Sequence, residues 1–187
     1  IDGTSYQLPK PFFVIATQNP IDQQGTFELP EAQRDRFSVK TKMGYPEKDG
    51  ELELLQQREQ RREKTPSVDA ITNSETLRRL QVTTEEITVE RAVKEYMIQL
   101  SRFTRNHSSV KTGVSPRGIQ KMFETARAVA VISGRDFVIP QDVKTIASPV
   151  YAHRLILTQE ALVQEKDAEE IIETAIDSVP VPGAAGE

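Results

Sequence analysis

The chain has 187 residues, 37% of them hydrophobic and 28% charged, which is enough for one medium domain or two small ones under a well-solvated surface. A net charge of −4 argues against a nucleic-acid groove or an anionic membrane surface as the main partner. The absence of cysteine excludes disulfides and thiolate metal sites. His107 and His153 are the only histidines and lie far apart, no long apolar run occurs, and no basic stretch leads into an apolar one at the N-terminus. No metal site, no membrane span and a cytoplasmic location are therefore expected.

The chain opens Ile1-Asp2-Gly3-Thr4, and Asp-Gly is a favoured hairpin-turn pair that needs a strand on both sides. We expect from this that the sequence is cut inside a hairpin and that an upstream region precedes it. Phe12-Phe13-Val14-Ile15-Ala16-Thr17 is an apolar run bounded by prolines, which suits a strand buried on both faces of an α/β sheet. Residues 18–30 should form a loop. Pro30 at a first helical position and Glu31 in the first turn predict a short helix to Asp35. The alternating run Phe37 to Met43 predicts a second strand, at an edge, closed by Gly44-Tyr45-Pro46.

From Glu47 the pattern becomes helical. Glu47 to Arg62 places Leu52 and Leu55 on one face, and its charged end carries both signs, as a solvated helix face does. Val89 to Asn106 carries Ala92, Val93, Tyr96, Met97, Leu100 and Phe103 at spacings of three and four, the mark of an amphipathic helix. Ser115-Pro116 is an N-cap followed by proline, opening a helix to about Ser133. Its buried stripe is Ile119, Met122, Phe123, Ala126, Val129 and Ala130, with Gly134 in the C-cap position. Further helices should begin at Pro140 and cover roughly Ala168 to Ile176, with a frayed tail beyond Pro180. The layout is a remnant of a sheet, about residues 1–46, followed by an all-helical bundle.

Three short stretches could carry chemistry. Asn19, in Ala16-Thr17-Gln18-Asn19-Pro20, stands beyond the carboxyl end of the expected buried strand, where ligands sit in open α/β sheets. An amide there can hydrogen-bond a phosphate oxygen and an attacking water together, although Asn-Pro after a strand is also a common turn. Arg36 ends the short helix and could present a planar, permanently charged fork at a subunit edge, or simply pair with Asp35, Glu31 or solvent. Arg117 lies in the first turn of a helix, where the helix-end potential disfavours a cation unless an anionic ligand or carboxylate meets it.

Taken together, Phe13 to Pro20 (FVIATQNP), Gly25 to Phe37 (GTFELPEAQRDRF), Gly44-Tyr45-Pro46, Ser115-Pro116-Arg117, Gly134 to Val138, Pro140 to Val143 and His153-Arg154-Leu155 resemble the C-terminal portion of the MoxR-type AAA+ ATPases, from Ile1 to about Ala161. The resemblance implies an α/β remnant of a P-loop AAA+ core, with two or three strands and short helices over residues 1–66. An all-α lid bundle over 67–178 and a flexible tail over 179–187 would follow. It makes Asn19 the sensor-1 residue, Arg36 the arginine finger acting on a neighbouring subunit, and Arg117 the sensor-2 arginine. Glu28, Arg34 and Gly118 depart from the family pattern, and Arg34 is the alternative finger. No G-x-x-x-x-G-K-[ST] and no strand ending in an Asp-Glu pair occur, so the phosphate-binding and magnesium-binding residues are not in this sequence.

The implied activity is chaperone-like remodelling or maturation of client proteins, driven by ATP with Mg2+ in the complete protein; this chain alone should be inactive. The implied partners are identical or full-length subunits in a ring, expected to be a hexamer, and a protein with a von Willebrand factor A domain. A second reading is a non-catalytic module that packs against full-length subunits or binds a client. A third, nucleic-acid binding around Lys111, Arg117 and Lys121, is the weakest, because the acidic balance provides no basic stripe.

Overall fold

Residues 5–18, 29–60 and 68–183 are described, in a computed structural model. After Pro30, α1 spans Glu31–Arg34, and the Pro30 carbonyl accepts from the amides of Gln33 (2.7 Å) and Arg34 (3.0 Å). Helix α2 (Lys48–Gln60) forms where expected, but Leu52, Leu54 and Leu55 all stay exposed, so its apolar side chains cover nothing among the described residues. Helix α3 (Ser74–Glu86) was not expected. Asn73 caps it, its side chain accepting from the Thr76 amide at 2.8 Å, and Leu77 and Leu80 remain partly open.

The folded mass begins at Ile87. Helices α4 (Arg91–Asn106), α5 (Pro116–Ile132), α6 (Pro140–Tyr151) and α8 (Ala168–Ser178) surround one core, with a 3-10 turn at Ala152–Arg154 and the short α7 (Gln159–Val163) between the last two. The spacings noted in the sequence become its contacts. Val93, Tyr96, Met97 and Leu100 from α4 meet Met122, Ala126 and Ala130 from α5, Val143, Ala147, Val150 and Tyr151 from α6, and Ile171, Ile172 and Ala175 from α8. Each large side chain buried here contributes about 1.5–3 kcal/mol. Ala92, one of the expected face, lies exposed.

Local chemistry fixes the helix ends. Ser115 Oγ accepts from the Gly118 amide at 3.2 Å, the N-cap its position predicts. At the other end of α5, Gly134 adopts φ +70°, its amide bonding the Val131 carbonyl (3.0 Å) and the Arg135 amide bonding that of Ala130 (2.9 Å). That pair is a Schellman cap, and only glycine takes such a φ without strain.

The two strands expected at 12–17 and 37–43 do not form, and this corrects the sequence reading. Neither segment pairs as a strand, and Phe12, Phe13, Val14 and Ile15 stand 60%, 81%, 55% and 78% exposed. A run of apolar residues becomes a strand only against neighbours that take its amides and carbonyls, and the described residues offer none. The second segment spends its hydrogen bonding elsewhere: the Lys40 amide donates to the Pro149 carbonyl at 2.9 Å, satisfying one of the orphan acceptors at the end of α6. The strands that do pair lie in the helical part. They are β1 (Val110–Thr112) and β2 (Ile156–Leu157), antiparallel with Val110 opposite Leu157 and Thr112 opposite Ile156. A remnant followed by a helical bundle remains the architecture.

Candidate functional site

Of the three residues singled out by the sequence, Asn19 lies outside the described residues. Arg36 and Arg117 are both placed, and Asp35 stands between them. Arg36 follows α1 on a turn closed by its own amide to the Gln33 carbonyl (3.2 Å). Its side chain is exposed and makes no hydrogen bond or ion pair with the described residues. Arg34, two residues earlier, is half-buried, with its Nε enclosed and unpartnered among the described residues. The pairing of Arg36 with Asp35 that the sequence left open is not made.

Asp35 is instead held by the helical bundle. Its Oδ1 accepts from Arg154 Nε at 3.0 Å, its Oδ2 lies 3.6 Å from Arg117 Nη1, and Ser115 Oγ donates to the same carboxylate at 3.3 Å. Arg154 is the centre of this junction, its side chain only 2% exposed. A guanidinium has five N–H donors, and each has an acceptor here. Nε serves Asp35, and Nη2 serves the carbonyls of Asp35 (3.2 Å) and Phe37. Nη1 serves the Val150 carbonyl and His153 Nε2 (2.8 Å), with Ser38 O at 3.4 Å.

The electrostatics follow from that burial. Desolvation pulls the Arg154 pKa down, and the Asp35 carboxylate pushes it back; a guanidinium starts so high that it stays charged. Burial lowers His153 to about 4, and the adjacent Arg154 lowers it further in the same direction. His153 is therefore neutral near pH 7. Because Arg154 can only donate, Nε2 must be the acceptor, which leaves the proton on Nδ1, buried and without a partner among the described residues. The short contact of Nε2 to Phe37 O (3.4 Å) is then proximity rather than a hydrogen bond, and that carbonyl is already taken by Arg154.

Glycines make the junction possible. A Cβ on Gly118 would sit 2.6 Å from Val114 Cγ1 and 3.0 Å from Arg154 Cδ, so glycine at this position gives the arginine stem its room. Arg117 is carried on the same first turn, with its side chain 53% exposed and its grip on Asp35 loose. Sequence reasoning missed Asp35 and Arg154 as partners. Their 119-residue separation left no pattern to read, and the one available signal was a His-Arg pair directly after an apolar helix.

The first 39 residues match the family described as "ATPase family associated with various cellular activities (AAA)", and residues 102–175 match the AAA lid domain. The chain is thus built from the end of an AAA ATPase core and its lid. It is 38% identical to the uncharacterized protein YeaC of Bacillus subtilis, over 97% of this chain and 57% of that protein. It is 37% identical to the chaperone MoxR1 of Mycobacterium tuberculosis, over 97% of this chain and 50% of that protein. A crystal structure of a putative ATPase from Cytophaga hutchinsonii superposes with a TM-score of 0.85 at 33% identity, over 95% of this chain and 56% of that one. The chain belongs to the MoxR family of AAA+ ATPases, and it spans about half the length of the curated relatives it matches. No helix among the described residues is long and apolar enough to cross a membrane.

Proposed function

We propose that this chain is the part of a MoxR-type AAA+ ATPase that completes and senses an ATP site, within a protein that uses ATP hydrolysis for chaperone-like remodelling or maturation of clients. Residues 1–66 are the end of the α/β core, 67–178 the lid and 179–187 a tail. Asn19 positions the attacking water, Arg36 reaches the nucleotide of the next subunit in a hexameric ring, and Arg117 meets the phosphates from the lid. A von Willebrand factor A domain protein is the expected partner, and the cytoplasm the expected location.

The observation that carries this reading is the contrast between Arg36 and its neighbours. Asp35 and the Phe37 carbonyl are bound firmly to the lid, while the Arg36 side chain between them is exposed and without a partner among the described residues. A cation on a fixed backbone with nothing to neutralise it suits a trans-acting role, because its charge and its position are both ready. Arg117 fits as well: a half-exposed guanidinium with a carboxylate at 3.6 Å can exchange that weak contact for a phosphate oxygen. ATP with Mg2+, bound by the complete protein, supplies the phosphoryl group and the metal that neutralises its charge.

The test is ATP turnover by the full-length subunit, wild type against Arg36→Ala. Removing a finger should lower turnover by about a thousandfold. Turnover at the wild-type rate by Arg36→Ala would remove the assignment.

A further inference from the structure

Sequence reasoning gave no role to Arg154, yet it makes the densest set of contacts between the finger segment and the lid among the described residues. Its contacts run to one short stretch: the Asp35 carboxylate at 3.0 Å, the Asp35 carbonyl at 3.2 Å, and the carbonyls of Phe37 and Ser38. These flank Arg36 on both sides without touching its side chain. Two further bonds extend the seam, from the Lys40 amide to the Pro149 carbonyl (2.9 Å) and from Lys42 to Glu169 at the start of α8 (2.9 Å). The lid end of the seam is rigid, since Tyr151, Ala152, His153, Arg154 and Leu155 are all buried.

We propose that Arg154 is a positioning residue, which fixes the backbone on both sides of Arg36 to the lid and thereby aims the finger at the neighbouring subunit. This rests on the finger reading of Arg36. The physical argument is that α1 is only four residues long and has no buried residue of its own. So short a helix cannot hold a side-chain direction by itself; what holds it is the guanidinium fork. The same turn of α5 that carries Arg117 also touches Asp35. A lid moved by nucleotide in one subunit therefore carries the finger for the next subunit with it.

The experiment uses full-length subunits carrying Arg154→Lys or Asp35→Asn, beside Arg36→Ala. A lysine keeps the charge but cannot span Asp35, Phe37 and Ser38 together. Arg154→Lys should lower kcat by about ten- to a hundredfold, the cost of a finger displaced by about an ångström, while affinity for an ATP analogue at its own site stays unchanged. Adding excess donor subunits, inactivated in their own nucleotide site but with Arg36, Asp35 and Arg154 intact, should restore turnover. The variant's own site then receives a correctly aimed finger from its neighbour, whereas a general folding defect would not be repaired. Asp35→Asn should give the same pattern and carries the test if Arg154→Lys fails to fold by thermal melting. Wild-type kcat in a folded variant overturns the proposal. So does a loss that donors repair for Arg36→Ala and do not repair for Arg154→Lys or Asp35→Asn. Should Arg36→Ala itself turn over ATP normally, the finger reading falls, and this proposal with it.

Discussion

Gly113→Ala should destabilise the lid more than Gly134→Ala. A Cβ at residue 113 would lie 2.7 Å from both the Cα and the amide nitrogen of Arg105 and 2.8 Å from its Cγ. Ordinary carbon contacts fall at about 3.5–4.0 Å, so the segment after β1 must retreat from the end of α4 by roughly an ångström. That retreat strains two bonds that fasten the approach to α5: Arg105 Nε to the Val114 carbonyl (2.8 Å) and the Val114 amide to Thr104 Oγ1 (3.1 Å). Overpacking costs about 1–3 kcal/mol, and each weakened hydrogen bond adds about 0.5–1.5 kcal/mol. The expected loss is therefore about 2–6 kcal/mol. At about 4–8 °C per kcal/mol for a domain of this size, the melting midpoint should fall by at least about 8 °C. Gly134→Ala is the comparison. There nothing lies within 4 Å, and the only penalty is the φ of +70°, worth about 1–2 kcal/mol. Urea and thermal unfolding of both variants decide the point: if Gly134→Ala proves as costly as Gly113→Ala, close approach to α4 is not what residue 113 requires.

Two further predictions concern buried polar groups. Asp142, with its side chain 5% exposed, accepts from the Ile139 amide (2.9 Å) and from Arg135 Nη1 (2.8 Å), so it both caps α6 and ties it to the loop after α5. Asp142→Ala should cost about 2–4 kcal/mol, the worth of a cap plus a charged hydrogen bond, and a shift in urea midpoint corresponding to less than about 1 kcal/mol would contradict this. His153 binds its proton more weakly when folded, its pKa lowered from 6.5 to about 4. The unfolded chain therefore takes up the proton first, and stability should fall as pH drops from 6.5 towards about 4, by about 1–3 kcal/mol. Urea titrations at several pH values should show a flatter dependence in His153→Gln; an identical slope would mean that His153 is not the group responsible.

The helices that build the lid were legible because each repeats its apolar residues at the period of the core it meets. Leu100 and Met122 could be assigned to that core without knowing what lay opposite. Ser115, Pro116 and Gly134 marked the limits of α5 for reasons confined to the chain itself. Helix α3 escaped because Leu77 and Leu80 form only a narrow stripe among polar residues, and none of its residues is buried. The strands at 12–17 and 37–43 were misread for a different reason. Their composition describes a buried environment, but pairing is a property of two segments, and one segment cannot announce its partner. The candidate site was legible in part as a set of residues to examine. Arg36 and Arg117 could be named from short motifs, whereas the carboxylate between them and the buried arginine holding it are joined only by the fold.

The choice between Arg34 and Arg36 as the proposed finger turns on that buried arginine. Residues two apart on a helical turn point roughly 200° away from each other, so once Asp35 faces the lid, its two arginine neighbours must lie on opposite flanks. Arg34 falls on the flank where its Nε is enclosed, and Arg36 on the flank open to solvent. Drawing Arg34 outward would mean turning α1 about its axis, which would take Asp35 away from Arg154 and leave a buried guanidinium without its carboxylate. Breaking such a pair costs about 3–5 kcal/mol, far more than an exposed arginine gains by finding a partner at the surface. The ion pair thus decides, through the register of one short helix, which of the two arginines the chain leaves open to solvent.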